Sequence, residues 1–420
     1  MTLAVVELND QHLLIQTDQG LLYGEPGFAQ LTKTGITTGD TAKASAWQQP
    51  QHSYNQYWRQ LNQQPLPSPQ QWARHHADIA FAQFKQLLQA AGSPDNIIIA
   101  VPGTVTDEQL SLLLGLASAI PVQVKAVIDS ALAICAEHTE STLLVDMQLH
   151  QTQVSLIDCS AGISSLSQQE TLPDIGIMQL YNAVARHISD RLVADYRYDP
   201  LHSSETEQAL FDQLPDWLMQ LGQQDKLSIN LASPQGDLQL LLERHKVAEI
   251  FEQRLSGLIA LIQKYRDAKL YFAHGARLVP ILLKLFTDSP ISPESIGLEN
   301  CHRLQQTLSD QPLQRIQQIR LSKTPVTSNT KTSRRATHVL YDNKAYPLHQ
   351  PLSIERENKR LRLANKHDTE AALVIVMENQ QLKILHQHQD LEIKLPQHCE
   401  PGTQLKIAGH CLSFIEVSDA

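Results

Sequence analysis

A carboxylate, Asp146, closes an apolar run at 142–146 in the middle of the chain, and a second apolar run follows at 152–157. The pattern predicts a hairpin whose polar turn is Met147-Gln148-Leu149-His150-Gln151.

The other chemistry-bearing residues are histidines and cysteines. His398-Cys399 and His410-Cys411 are two His–Cys pairs, a composition that zinc accepts. In a strand, however, adjacent side chains point to opposite faces, so only one residue of each pair can share a site. Cysteines beside surface histidines are the plainer reading. His386-Gln387-His388 puts two imidazoles on one strand face, which reads first as a solvated face. His75-His76, beside Trp72 and Ile79, reads as packing. Trp47, Tyr54, Tyr57 and Trp58 could form a recognition surface, but packing of a loop onto its domain is preferred. No Ser/His/Asp order, no Cys/His nucleophile signature and no Gly-rich dinucleotide turn is present.

The elements that would position these residues alternate. Apolar runs at 3–8 and 12–16 flank Asn9-Asp10-Gln11 and predict a hairpin, with a third strand near 21–23. The stretch 26–69, with scattered Gly and Pro, is expected to be irregular or locally helical. A helix is predicted over 70–91, with Trp72, Ile79, Phe84, Leu87, Leu88 and Ala91 on one face and Gly92 after it. Asn96 to Val101 reads as a strand buried on both faces. Thr106-Asp107-Glu108-Gln109 reads as a capping box. Further expectations are a strand at 122–128, a helix from Asp129 to Ala136, and a helix near 177–195. A second capping box, Ser204-Glu205-Thr206-Glu207, opens a helix that Pro215 interrupts. Two strands span 227–242, one long helix spans 245–266, a strand covers 269–272 and a helix 278–285. The polar run 322–336 reads as a flexible linker. Beyond it, short alternating runs predict a small all-β domain over 337–420. The fold class is therefore α/β with mixed sheets flanked by helices over 1–321, plus the β-domain.

At 420 residues with 42% hydrophobic and 19% charged content, the composition is that of a globular protein with sizeable cores. The net charge of −10 argues against a nucleic-acid partner. No apolar run reaches the roughly 18 residues a membrane span needs. No leader is legible at the N-terminus, and the five scattered cysteines fit a reducing compartment, so a cytoplasmic location is expected.

Several stretches, in order, resemble the DnaK-type heat-shock chaperones of the actin/hexokinase/DnaK ATPase superfamily. Gly39-Asp40-Thr41-Ala42-Lys43-Ala44 with Pro50 is similar to that family's "G-D-x-A-K … P" loop. Ile98-Ile99-Ala100-Val101-Pro102 with Asp107-Glu108-Gln109 is similar to its "V-P-x-x-(F)-x-x-x-Q" element. Ile128 to Ala133 is similar to "E-P-T-A-A-A". Leu144-Val145-Asp146 stands where its second phosphate loop belongs. Leu270 to Pro280, with Gly275, resembles its adenosine motif. The resemblance covers residues 1 to about 320 and implies a two-lobed actin-like ATPase fold, with ATP and Mg²⁺ as cofactors. Glu7, Asp146 and Gly275 then become the cofactor-binding positions, Glu7 and Asp146 holding the metal through water, with Asp10 as a nearby third carboxylate.

The departures matter as much. The first phosphate loop, "G-x-D-x-G-T-T/S", is matched by Val5 to Gln11 without its glycines and hydroxyls. The second, "D-x-G-G-G-T", keeps only Asp146. Glycine lets backbone amides close on phosphate oxygens. Leu149 and His150 put side chains there instead. The expectation is a DnaK-like pseudoATPase, chaperone-like or scaffold-like, that binds protein partners and has weak or no ATP hydrolysis. The alternatives are an active ATP-dependent chaperone with an atypical phosphate site and, less favoured, a small-molecule kinase of the same superfamily. The C-terminal β-domain compares with the chaperones' peptide-binding domain and also with a forkhead-associated domain.

Overall fold

The structure is a computed structural model. It describes residues 2–160, 162–233, 236–286, 289–305, 313–320, 337–341, 344–348, 350–357, 360–366, 368, 371–378, 381–388, 404–407 and 410–415. Two compact units divide the chain, Met1–Ser322 and Lys323–Ala420. The expected linker at 322–336 lies outside the described residues.

The first unit opens with the predicted hairpin, β1 (Leu3–Glu7) and β2 (Leu13–Thr17), continued by β3 (Leu22–Glu25). The stretch expected to be irregular instead holds β4 (Ala29–Thr32), β5 (Gly35–Thr38), α1 (Gly39–Lys43) and β6 (Ser53–Tyr54). Its three strands form a small sheet in the order β5-β4-β6. Strands this short carry too few alternating positions to register as a period.

Helix α2 (His76–Ala90) starts later than predicted. Trp72 therefore lies outside it, exposed, with its indole Nε1 donating to the Thr32 carbonyl at 3.1 Å. Then come β7 (Asn96–Val101), α3 (Asp107–Ser118) and β8 (Gln123–Asp129). The capping box holds: Gln109 N donates to Thr106 Oγ1 at 3.2 Å, and Thr106 N to Gln109 Oε1 at 3.0 Å. All six residues of β7 are buried, as its unbroken apolar run requires. In the first sheet β1 is central, antiparallel to β2 and parallel to β7, which is parallel to β8.

After α4 (Ser130–Ile134) a second sheet begins, with β9 (Thr142–Met147), β10 (Gln151–Ser160) and β11 (Ile163–Pro173). Strand β11 was not anticipated. Helices α5 (Ile177–Tyr196) and α6 (Ser204–Gln223) follow, and α6 runs unbroken through Pro215, which corrects the expected interruption. A hairpin of β12 (Lys226–Ser233) and β13 (Gly236–Glu243) comes next. The single long helix expected over 245–266 is two, α7 (Arg244–Arg254) and α8 (Ser256–Lys264), meeting at Leu255. The chain continues through β14 (Lys269–Phe272), α9 (Pro280–Leu285) and α10 (Ile296–Leu304). Strands β15 (Gln314–Ile316) and β16 (Gln318–Ile319) end the unit on opposite sheets, β15 on β8 and β16 on β11.

The second sheet repeats the logic of the first. Strand β9 pairs antiparallel with β10, which pairs antiparallel with β11, while β14 lies parallel on the other side of β9. A parallel bridge from Phe272 to Ile291 stands where the first sheet has β8. Between the sheets lies a shared apolar layer that includes Val5, Leu14, Ile98, Leu144, Ile157 and Leu298. It aligns the ends of β1 and β9.

The second unit is all-β. Its sheets are β18-β17-β24-β23 and β20-β19-β21-β22, from β17 (His338–Tyr341), β18 (Lys344–Pro347), β19 (Leu352–Glu357), β20 (Arg360–Ala364), β21 (Leu373–Glu378), β22 (Gln381–Gln387), β23 (Gln404–Ile407) and β24 (His410–Ile415). One core, including Val339, Ile354, Ile375 and Phe414, draws on both sheets. No helix among the described residues is long and apolar enough to cross a membrane.

Candidate functional site

The site grows from the two hairpin turns, which the shared apolar layer brings together. Glu7 ends β1 and Asp146 stands one residue before the end of β9. Across 137 positions of sequence, Asn9 Nδ2 donates to Asp146 Oδ1 at 3.0 Å and to Oδ2 at 3.3 Å. Asp10 reaches the second turn directly, its Oδ1 accepting the Leu149 amide at 2.8 Å.

Other backbone donors near this contact are also used internally. The first two amides of α5, Ile177 and Met178, donate to the Gln148 and Leu149 carbonyls at 3.1 and 2.9 Å. A helix N-terminus that would otherwise attract an anion is thus closed by the turn itself. Gly27 N donates to the Asp10 carbonyl at 2.9 Å, and Gln11 N to Asn9 Oδ1 at 3.1 Å.

Three carboxylates are buried here, with Glu7, Asp10 and Asp146 at 3%, 5% and 6% exposure. Burial pushes Glu7 up to about 8, and the Asp146 and Glu294 charges add to the shift. Burial likewise raises Asp10 to about 7, against the Leu149 amide that favours its charged form. It raises Asp146 to about 6, while the Asn9 amide pulls the other way. Low-dielectric surroundings disfavour the charged form in each case. His150 moves oppositely, lowered to about 4 by burial, with Nε2 3.1 Å from the Asn55 carbonyl.

A cleft of about 360 Å³ adjoins the contact, lined among others by Gln11, Leu149, Tyr181, His274, Gly275 and Arg277. Gly275 packs tightly: an added Cβ would stand 2.9 Å from both Gln11 Oε1 and the Met147 carbonyl. Of the residues singled out in the sequence, Glu7, Asp146 and Gly275 do come together with Asp10. Between the turns the Leu149 amide is paired with the Asp10 carboxyl and three acids are buried, a donor set that suits a phosphate chain poorly.

A larger cavity of about 700 Å³ lies at the ends of β7 and β8, lined by Asp129, Gln169 and Arg315 among others. Its carboxylate is committed to structure. Asp129 Oδ1 accepts the Ala131 and Leu132 amides at 2.9 and 3.4 Å, and Oδ2 accepts Gln169 Nε2 at 2.7 Å. Asp129 caps α4.

Several of the other residues singled out in the sequence have structural roles. Tyr57 is fully buried with its hydroxyl on Gln83 Oε1, which also accepts Trp58 Nε1 at 2.7 Å. Trp47 stacks on Phe211 at 4.3 Å between ring centroids. Packing is thus the role of these three rings. His75 flanks the start of α2, its amide donating to Asp78 Oδ2 at 3.0 Å. His398, Cys399 and the side chain of Cys411 lie outside the described residues, so the zinc reading of the two His–Cys pairs has no described geometry. What sequence reading missed is His12 and Glu294, 282 positions apart, whose Nδ1 and Oε1 stand 3.1 Å apart beside His274.

No protein-family model matches the chain, and no curated protein matches it at a significant level.

Proposed function

We propose that residues 1–322 form a two-lobed actin-like core of the kind carried by DnaK-type chaperones, in which the nucleotide has been given up. The chain then acts as a non-hydrolysing, chaperone-like or scaffold-like protein through contact with protein partners, the β-sandwich serving as one contact module. The paired sheets support the fold, each with a three-strand antiparallel meander and a parallel strand beside its first strand. Fold alone does not carry activity, so the functional reading rests on the site. One observation carries it. The Leu149 amide, which in a working phosphate loop would face the nucleotide, is bonded to Asp10 of the opposing turn. A carboxyl oxygen from the chain itself stands where a phosphate oxygen would.

The rival is an ATP-dependent chaperone with an atypical phosphate site. Partner capture separates the two. The full chain is used as bait in native lysate, once with added MgATP and once after apyrase treatment. The reading predicts the same partners in both arms and in Asp146→Ala. Partners that release on MgATP addition, and no longer do so in Asp146→Ala, favour the rival. Absence of any specific partner contradicts the interaction reading itself.

A further inference from the structure

Three side chains with metal-ligand chemistry converge at the cleft from separate parts of the first unit. His12 follows the β1–β2 turn, His274 follows β14, and Glu294 precedes α10. One ligand atom from each lies within 4.8 Å of the other two, and all three residues line the cleft. Among the described residues this is the one such group of three or more.

The orientation of His12 is set by its neighbours. Its Nε2 edge lies over Gly24, where an added Cβ would be 2.7 Å away, so its Nδ1 is the atom turned to Glu294 Oε1 at 3.1 Å. A His12–Glu294 ion pair explains two of the three residues. It does not explain His274, which is 7% exposed and whose Nε2 has no hydrogen-bond partner. Leaving a buried polar atom unpaired costs about 1–3 kcal/mol, so such an atom calls for a ligand.

We propose that His12, His274 and Glu294 bind a divalent transition-metal ion of the zinc class, with open coordination positions towards the cleft. Two imidazoles and one carboxylate are a donor set used for zinc and for ferrous iron. Magnesium prefers an all-oxygen shell and keeps its waters, so it is the wrong ion for these ligands. Tetrahedral bonds of about 2.0–2.2 Å set ligand atoms roughly 3.3–3.6 Å apart; His12 Nδ1 and Glu294 Oε1 already stand 3.1 Å apart, so the His274 nitrogen, within 4.8 Å of both, has to close by at most about an ångström. Glu294, whose side chain is partly exposed, has room to make that adjustment. The site is distinct from the buried carboxylates, and its existence does not depend on the partner-binding reading.

The test uses the tag-free full chain and cobalt(II), whose visible absorption reports coordination, with zinc as competitor. Expected are saturable cobalt binding, displacement of cobalt by zinc and no competition from excess magnesium. His12→Gln and Glu294→Gln should each weaken binding by roughly tenfold or more, at least the loss that follows from removing an outer-shell partner. The metal-free thermal midpoint should stay near that of the wild type. His274→Ala should do the same. If that buried substitution fails to fold, the other two variants decide. Two results overturn the proposal. One is no saturable binding of either ion. The other is unchanged affinity in both His12→Gln and Glu294→Gln, which would place the ion elsewhere.

Discussion

Alanine at position 176 should destabilise the first unit by about 3 kcal/mol, at the upper end of overpacking costs. Gly176 precedes α5 in an extended conformation that any residue adopts, so it is space that forbids a side chain there. An added Cβ would stand 2.5 Å from Gln151 N and His150 C and 2.6 Å from His150 Cα. All three are backbone atoms of the second turn, which cannot swing aside as a side chain does. Relief requires α5 to withdraw, stretching the bonds from Ile177 and Met178 to the turn. Thermal unfolding followed by circular dichroism should show a midpoint lower by on the order of 5 °C. Gly115, inside α3 with open space around it, is the control. There alanine should be neutral or stabilising, since it removes the entropic cost of a helical glycine. Equal effects at the two positions would contradict the close approach of α5 to the turn.

Asparagine at position 146 should raise the thermal midpoint at pH 8 and change it little at pH 4. Asp146 is held above its ordinary value by burial, near 6. A group raised in the folded state contributes stability that is complete below its unfolded value and is lost as pH rises through the folded one. For Asp146 that loss runs from about pH 4 to about pH 6, and for Glu7 from about pH 4.5 to about pH 8. At pH 8 a buried charge at 146 carries a penalty of up to about 3 kcal/mol. Asparagine removes that charge and the repulsion it exerts on Glu7, and its carbonyl oxygen still accepts from Asn9. Its new amide donor needs an acceptor, which reduces the net gain to about 1–2 kcal/mol. Measurement of the midpoint from pH 4 to pH 8 checks the sign. A variant less stable than wild type at pH 8 would mean that the carboxylate is satisfied by something asparagine cannot hold.

Much of this architecture was legible in the sequence where local chemistry and tertiary need agree. The capping box at Thr106 and Gln109 forms both of its bonds, and the apolar run at 96–101 becomes a strand buried on both faces. Strand β11 escaped notice because Ser164, Ser165, Gln168, Gln169 and Glu170 give it no apolar period. Its place in the sheet is set by a long ladder to β10 rather than by its own composition. Pro215 was read as a breaker, yet α6 absorbs it while burying Leu210, Phe211, Leu214 and Trp217 on one face. Packing of that face outweighs one missing amide donor.

The site was legible only in part. Glu7, Asp146 and Gly275 were singled out only through the resemblance to the phosphate and adenosine motifs of DnaK-type chaperones, and the structure brings them close together. The bond from Asp10 to the Leu149 amide left no trace in either turn's sequence, because it depends on how two sheets 139 positions apart are set against each other. The same holds for His12, His274 and Glu294, which share no motif and meet only through the topology.

The most direct test of the central claim is hydrogen exchange at the Leu149 amide and its turn, with and without MgATP. If Asp10 occupies the anion position, this amide exchanges slowly in the free protein, MgATP leaves the rate unchanged, and Asp10→Ala accelerates it. Rapid exchange in the free protein that MgATP suppresses would contradict the account, since the amide would then be waiting for a phosphate.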